Sequence, residues 1–240
     1  MEYVPGNSLA DYIKKGARLN PLDVARLGLR LSTGLAAIHK LNIVHRDIAP
    51  DNIQVPDENI VGAKLIDFGL ASNTIGTEKS IIGDSIAGKF SYMAPEQLGL
   101  FGGKASAATD VYALGLVLMR IAGLPVPGEG QGAGAIEIRR KDISLKGSGL
   151  PPVLAKTLRQ MLRADPAKRS VDLVPLFHKT IGALENGTGT GASKTSVTGL
   201  EGGVANKSKA VPITIILAVV AAFGVGVYFH LSKPELLDGE

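Results

Sequence analysis

The chain has 240 residues, of which 45% are hydrophobic and 20% are charged, a composition that is typical of a folded protein and too apolar for a disordered one. It contains no cysteine, which excludes disulfide scaffolds, thiolate metal sites and cysteine nucleophiles. Lys and Arg outnumber Asp and Glu by only 26 to 22, and this small, dispersed excess argues against nucleic acid as a partner.

The first predicted element is a long helix over residues 21–40. Its apolar residues recur at helical spacing, Asn20 is a candidate N-cap, and Pro21 stands at the first helical position, where proline is well tolerated. Two short apolar stretches follow, at residues 53–55 and 63–66. Both are too short for helices and are bounded by turn residues, so they predict a small β-hairpin.

Helical periodicity returns after a Gly-rich region, at residues 110–122, 151–163 and 171–184. A second Gly-rich stretch, residues 123–134, is predicted to be a loop. Residues 1–185 are therefore predicted to form one mainly α-helical (α+β) unit with a small β-hairpin.

The remaining residues predict a membrane attachment. Residues 186–209 are rich in Gly, Ser, Thr and Lys and are predicted to be a flexible linker. Residues 210–231 contain no Asp, Glu, Lys or Arg, and as a helix they would span about 30 Å, the thickness of a bilayer core. Lysines precede this predicted span and the tail, residues 232–240, is net acidic, so the positive-inside rule places the folded unit in the cytoplasm and the tail outside.

Four short motifs in the folded unit carry the chemistry. His45-Arg46-Asp47 is followed by Asn52, then by Asp67-Phe68-Gly69, by Ala94-Pro95-Glu96 and by Asp110 at the start of a predicted helix. Each motif alone is common by chance, but together, in this order and spacing, they closely resemble the protein kinase signature. The resemblance covers residues 1–184 and implies a protein kinase-like fold.

The resemblance also implies roles for three polar residues. Asp47 would accept the proton of the substrate hydroxyl, while Asn52 and Asp67 would hold Mg²⁺, or Mn²⁺ in its place, against the phosphates of ATP. The expected activity is ATP-dependent phosphorylation of Ser or Thr hydroxyls in protein substrates.

Other residues of the motifs are expected to organise this site. Arg46 marks kinases whose activation segment, here residues 67–96, is ordered by a phosphate on Ser or Thr. Asp110 would hold the backbone of the catalytic loop. Two more contacts are expected. His45 would pack on Phe68, which precedes Gly69 in the motif, and Glu96 would form an ion pair with Arg169.

Residues 1–9 resemble the hinge that joins the two lobes of a kinase. The backbone of Glu2 and Val4 would contact adenine, and Met1 would be the gatekeeper. No Gly-rich phosphate loop and no ATP-binding lysine occur in the 240 residues, so the sequence predicts the large C-terminal lobe alone, which would bind ATP poorly. The start of the chain is expected to be an internal Met with a nucleotide-binding lobe upstream, and the alternative is a truncated, inactive relative.

Within the family, residues 48–52 and 88–97 look most like bacterial transmembrane Ser/Thr kinases, which implies a single-pass inner-membrane protein. Three positions depart from the usual pattern. Ala49 stands where a lysine is usual, Lys89 where a threonine is usual, and Gln54 where an apolar residue supports adenine. We predict that Lys89 replaces the missing cation as a catalytic residue, reaching the Asp47 carboxylate from the other side.

Two other functions compete with the kinase hypothesis. One is a catalytically inactive, kinase-like membrane scaffold. The other is a small-molecule phosphotransferase of related fold, which is disfavoured because such enzymes lack the segment containing Glu96 and its partner Arg169. A homodimer is also predicted, since small residues recur every four positions on one face of the predicted span, at Ala218, Ala222 and Gly226.

Overall fold

The computed structural model describes residues 4–67, 91–131 and 134–187. The chain divides into two units, residues 1–192 and 193–240, and every described residue belongs to the first. The described helices are α1 (Leu9–Lys14), α2 (Pro21–His39), α3 (Ala107–Ile121), α4 (Gly134–Arg139), α5 (Pro152–Met161) and α6 (Leu173–Gly187). The described strands are β1 (Asn7–Ser8), β2 (Ile53–Val55) and β3 (Lys64–Leu65).

Helix α2 begins where the sequence predicts it. The Asn20 side chain accepts a hydrogen bond from the Asp23 N–H at 2.9 Å, and Pro21 is the first helical residue. The helix packs against α6, and Gly28 makes the contact close, because a Cβ there would lie 2.4 Å from the Phe177 ring. The predicted helix over residues 21–40 is confirmed to within one residue at its C-terminal end.

The predicted hairpin is part of a three-stranded antiparallel sheet in the order β1-β2-β3. Ile53 pairs with Leu65, as the hairpin requires, and Val55 pairs with Asn7 of β1 on the other side. The sequence prediction missed β1 because two residues show no periodicity. Gly6 precedes β1 with φ of +116°, and a Cβ there would lie 2.0 Å from the Val55 carbonyl oxygen, so this position requires glycine.

Helix α3 forms the centre of the core, and all of its 15 residues except Ala107 and Arg120 are buried. The predicted start at Asp110 is wrong by three residues. Thr109 N–H donates to the Ser106 carbonyl, and the Ser106 N–H donates to the Thr109 hydroxyl at 2.9 Å, so the first turn forms before Asp110. Asp110 therefore lies one turn inside the helix, fully buried.

Two short helices were not predicted. α1 has six residues and begins with a reciprocal pair of hydrogen bonds between Ser8 and Asp11. α4, also of six residues, begins at Gly134, the last residue of the stretch predicted to be a loop, and continues beyond it to Arg139. Six residues are too few to show a helical period. The predictions over residues 151–163 and 171–184 correspond to α5 and α6, with ends shifted by one to three residues.

The resulting unit is mainly helical with a small sheet, as predicted. Among residues 4–67, 91–131 and 134–187, no helix combines the length and the apolar character needed to cross a bilayer. The predicted span at residues 210–231 lies outside these ranges.

Candidate active site

The loop that follows α2 is fastened to helix α3 by one carboxylate. Asp110 accepts hydrogen bonds from the backbone N–H of His45 at 2.9 Å and of Arg46 at 2.8 Å. Its Oδ2 also lies 2.7 Å from Nε2 of His39, at the end of α2. Three groups from two segments therefore converge on a side chain with no exposed surface, and this fixes the loop relative to the core.

This anchoring holds Asp47 beside Asn52. Pro50–Asn52 forms a short 3₁₀ turn, and the Asn52 Nδ2 donates to the Asp47 carbonyl oxygen at 2.7 Å and to Asp47 Oδ2 at 3.0 Å. Because both bonds use the amide nitrogen, the Asn52 Oδ1 is directed away from Asp47. The side-chain oxygen of Asn52 is thus oriented by the loop itself.

Asp67 is brought to the same region by strand β3. The Ile66 N–H donates to the Asn52 carbonyl at 3.0 Å, and the His45 Nε2 lies 3.1 Å from the Ile66 carbonyl oxygen. Asp67 follows directly, exposed, with φ of +59°, and Arg46 also has a positive φ, +67°. Both are non-glycine residues in the left-handed region, which is uncommon and clusters at functional sites.

A second segment, residues 91–98, closes the site from the other side. The Ala94 N–H donates to Gln97 Oε1 at 3.0 Å, and the Gln97 Nε2 donates to the Arg46 carbonyl at 2.8 Å. The segment and the loop together enclose a small cavity. Burial raises the pKa of the Tyr92 phenol to about 12. The cavity is lined by Arg46, Asp47, Ile48, Ala49, Tyr92, Met93 and Gln97.

The base of this segment is held by a buried ion pair. Arg169 donates to both oxygens of the Glu96 carboxylate, at 2.7 and 2.9 Å, and the side chains of both residues are fully buried. Glu96 also accepts a hydrogen bond from the Thr109 hydroxyl at 2.8 Å. The guanidinium of Arg169 stacks on the Tyr112 ring, 4.7 Å from its centroid, so the pair joins the segment to α3.

Comparison with known proteins shows the family of the chain. The model of the protein kinase domain family matches residues 1–173. The chain belongs to the protein kinase family. The serine/threonine-protein kinase PrkC of Bacillus subtilis is 34% identical over 139 residues, covering 58% of this chain and 21% of PrkC. PknA of Corynebacterium glutamicum, also a serine/threonine-protein kinase, is 32% identical over 177 residues, covering 72% of this chain and 36% of PknA.

A solved structure shares the fold. The crystal structure of Rad53 1–466 in complex with AMP-PNP superposes with a TM-score of 0.59 at 24% identity, covering 75% of this chain and 46% of that chain. The kinase chain described here spans 21% of PrkC and 36% of PknA, so it matches only part of the length of its curated relatives.

The structure brings together the larger part of the residues predicted for the kinase site. Asp47, Asn52 and Asp67 are connected through the loop and β3, and Val4 lies half-buried ahead of β1. Gln54, one of the unusual positions, donates to the Gly6 carbonyl at 2.5 Å and so ties β2 to the predicted hinge. Five predicted site residues lie outside the described residues: Met1, Glu2, Phe68, Gly69 and Lys89.

Sequence reasoning missed three residues that shape the kinase site. His39 supports Asp110, Gln97 connects the two segments, and Arg139 of α4 is buried against residues 91–93. His39 belongs to no quoted motif, and Gln97 lies in residues 88–97, which indicated the family but no role for this side chain. Their partners are 71 and 51 residues away. Arg139 gives no local signal, since its partners are main-chain carbonyls of residues distant in the sequence.

Proposed function

We propose that this protein transfers the γ-phosphoryl group of ATP to Ser or Thr hydroxyls of protein substrates, with Asp47 as the group that orients the hydroxyl and accepts its proton. The proposal rests on one observation above the others. Asn52 fixes the Asp47 side chain in a loop that Asp110 anchors to the core, at the edge of a small cavity. Family membership and the serine/threonine-protein kinases among the relatives support it.

This geometry suits phosphoryl transfer because that reaction depends mainly on positioning and electrostatics. A proton acceptor acts only when it is held within hydrogen-bond reach of the hydroxyl. The Asn52 amide restricts the rotation of the Asp47 carboxylate, and the Arg46 backbone, on the preceding residue, is fixed at both its N–H and its carbonyl. The loop is thus pre-organised on the side where the substrate would enter.

The donor atoms of Asn52 and Asp67 fit a divalent metal ion. An amide oxygen directed away from Asp47 and an exposed carboxylate are hard oxygen ligands, which Mg²⁺ and Mn²⁺ prefer. Within the described residues no group of three His, Cys, Asp or Glu side chains forms a metal site by itself. Since Mg²⁺ is usually bound through one or two protein ligands together with substrate phosphates, it would be held by Asn52 and Asp67 jointly with the nucleotide phosphates, whose charge it would neutralise. The backbone of Glu2 and Val4 would receive the adenine.

Lys89 would supply the cation that Ala49 lacks. Ala49 is buried and lines the cavity beside Asp47, so no charge reaches the site from this position. A lysine is long and acts as a point charge for phosphate. Replacing Lys89 by Ala in an active protein would then lower turnover by about 10²-fold, as the loss of one transition-state contact does, whereas near-normal turnover would exclude this role.

The central test compares Asp47→Asn with Asp51→Asn. Asp51 is exposed, lies four residues along the same loop and has no place in the proposed machinery. Phosphate transfer from ATP to a Ser/Thr substrate is measured on the 240-residue chain and on any longer in-frame product of its gene, because the 240 residues contain no Gly-rich loop and no ATP-binding lysine.

We expect very little activity from the 240 residues by themselves, because they contain no Gly-rich phosphate loop and no ATP-binding lysine. Asp47→Asn should lower the rate of transfer by about 10²- to 10⁴-fold, the usual contribution of a positioned acid or base, and Asp51→Asn should leave it unchanged. Equal activity of the two variants would exclude Asp47 as the proton acceptor. Nucleotide-dependent partner binding without transfer in either product would favour the scaffold function instead.

The membrane attachment belongs to the same proposal. Residues 210–231 would anchor the kinase lobe on the cytoplasmic side of the inner membrane, with the tail outside, because the stretch is uncharged and the lysines precede it. Retention in the membrane fraction after alkaline extraction, and protease cleavage of the tail from outside, are expected. Replacement of Ala222 and Gly226 by Leu should weaken dimerisation in a membrane association assay if the span pairs through its small residues.

A further inference from the structure

Arg139, the last residue of α4, is the largest fully buried side chain of the described lobe. Its guanidinium donates hydrogen bonds to the carbonyl oxygens of Ser91 and Met93, and to that of Pro127 at 3.3 Å. Ser91 and Met93 stand on either side of Tyr92. One side chain therefore holds two carbonyls of a short stretch of main chain, which we name the cavity wall (residues 91–93).

Burying an arginine is unfavourable unless hydrogen bonds compensate for the lost water. Burial lowers the pKa of Arg139, and the Tyr112 and Tyr92 phenols lie close enough to oppose this shift. Arginine nevertheless remains charged in proteins. The N–H donors of a guanidinium lie in one plane at fixed angles, so a buried arginine can fix the positions of the oxygen atoms that accept its hydrogen bonds. Here the acceptors belong to the cavity wall.

The cavity wall is next to the proposed catalytic residue. Tyr92 and Met93 line the same cavity as Asp47. On its far side, Gln97 joins Ala94 to the Arg46 carbonyl. Arg139 of α4 thus holds the carbonyls of the wall itself, and Gln97, which lies in the same segment, ties the adjoining Ala94 to the catalytic loop.

We propose that Arg139 is a positioning residue for substrate selection, which sets the shape of the surface against which the residues flanking the target hydroxyl bind. Arg139 acts through the carbonyls of Ser91 and Met93 and does not touch the substrate itself. The part that concerns substrate rests on the proposed kinase function. The part that concerns the wall does not, so the two are tested separately.

The first arm of the experiment uses hydrogen exchange on the full chain in mild detergent. Arg139→Met and Arg139→Lys are compared with Arg140→Met, a neighbouring arginine that is exposed and pairs with Glu137. Loss of charged hydrogen bonds should speed exchange of the Ala94 and Gln97 amides by about tenfold or more in Arg139→Met. Arg139→Lys, which keeps the charge without the fork, should lie between Arg139→Met and the unmodified chain.

The amides of His45 and Arg46 serve as the internal reference, because Asp110 holds them independently of Arg139. Their exchange should stay unchanged. Unchanged exchange at Ala94 and Gln97 in a folded Arg139→Met would overturn the proposal, as would an equal acceleration at all four amides. If Arg139→Met does not fold, Arg139→Lys decides by the same comparison.

The second arm measures kinetics in the longest active product with a series of peptides that vary in the residues beside the target. Arg139→Lys should raise the KM for the preferred peptide by about tenfold and reduce the preference between peptides, while the KM for ATP stays within about twofold. A lower kcat with unchanged peptide KM and preference would show a merely structural role and refute the proposal. Absence of transfer in the unmodified protein would refute the kinase function, while the exchange arm would still decide whether Arg139 holds the wall.

Discussion

The buried pair of Glu96 and Arg169 gives the sharpest prediction for stability. Replacing Glu96 by Ala removes the counter-charge of a guanidinium that has no exposed surface. Breaking one partner of such a pair costs about 3–5 kcal/mol, because the other charge stays buried without compensation. That is a large fraction of the 5–15 kcal/mol that typically stabilises a domain, and for about 150–250 residues it corresponds to a fall in Tm of roughly 6–20 °C.

The geometry also predicts which second change cannot compensate. Arg169 donates not only to Glu96 but to three backbone carbonyls, those of Arg163 at 2.7 Å, Ala108 at 2.9 Å and Ala164 at 2.7 Å. All five of its N–H groups are therefore used. Exchanging the charges, Glu96→Arg with Arg169→Glu, would leave three carbonyls facing a carboxylate. The double variant should be at least as unstable as either single variant.

The measurement is denaturant and thermal unfolding of the full chain in mild detergent, followed by circular dichroism. Arg163→Met is the control, since its ion pair with Asp142 at 2.5 Å is half exposed and such pairs contribute about 0–1 kcal/mol. We expect a large loss for Glu96→Ala and a small one for the control. A loss below about 1 kcal/mol for Glu96→Ala, or recovery of stability in the charge-exchanged protein, would refute the reasoning.

Two further predictions concern other contacts of the lobe. Asp142 accepts a hydrogen bond from the Ala164 N–H at 2.8 Å, and this bond together with the Arg163 side chain lowers the pKa of the Asp142 carboxyl below 3.8. The ionised carboxylate therefore stabilises the folded protein above the ordinary carboxyl pKa, and this contribution is lost as the pH falls through the lowered pKa. Because the Asp142 side chain is half exposed and solvent screens its interactions, Asp142→Asn should reduce the free energy of unfolding by less than about 1 kcal/mol at pH 7, with the difference shrinking below about pH 4. Gly28→Ala should destabilise by about 1–3 kcal/mol because its Cβ would overlap the Phe177 ring, whereas Gly34→Ala, exposed with its nearest neighbour at 3.8 Å, should stabilise by about 0.5–1 kcal/mol in the same unfolding assay.

The sequence was sufficient to predict the long helices, the hairpin and the position of the motifs. Helix α2 was predicted because nineteen residues give several repeats of the helical period and a cap. β2 and β3 were predicted because turn residues bound them. The strand β1 and the helices α1 and α4 were missed because elements of two and six residues are formed by tertiary contacts, which no local pattern records.

The sequence predicted those residues of the site that belong to recognisable motifs. Asp47, Asn52 and Asp67 belong to motifs, so family resemblance located them. His39, Gln97 and Arg139 were not predicted. Gln97 and Arg139 act by hydrogen bonds to main-chain carbonyls far away in sequence, and any residue can supply a carbonyl. Such contacts become visible only when the fold places the two segments together.

Arg46 and Asp67 both have a left-handed backbone conformation, which lowers stability, and both carry a charged side chain in the proposed site. Glycine adopts this conformation without the steric penalty that a Cβ imposes. Selection for stability alone would therefore favour glycine at both positions, while glycine would delete the guanidinium at one and the carboxylate at the other. Two charged side chains in this conformation mean that the lobe is less stable than its backbone would allow with glycine there, so stabilising substitutions are to be sought at other positions.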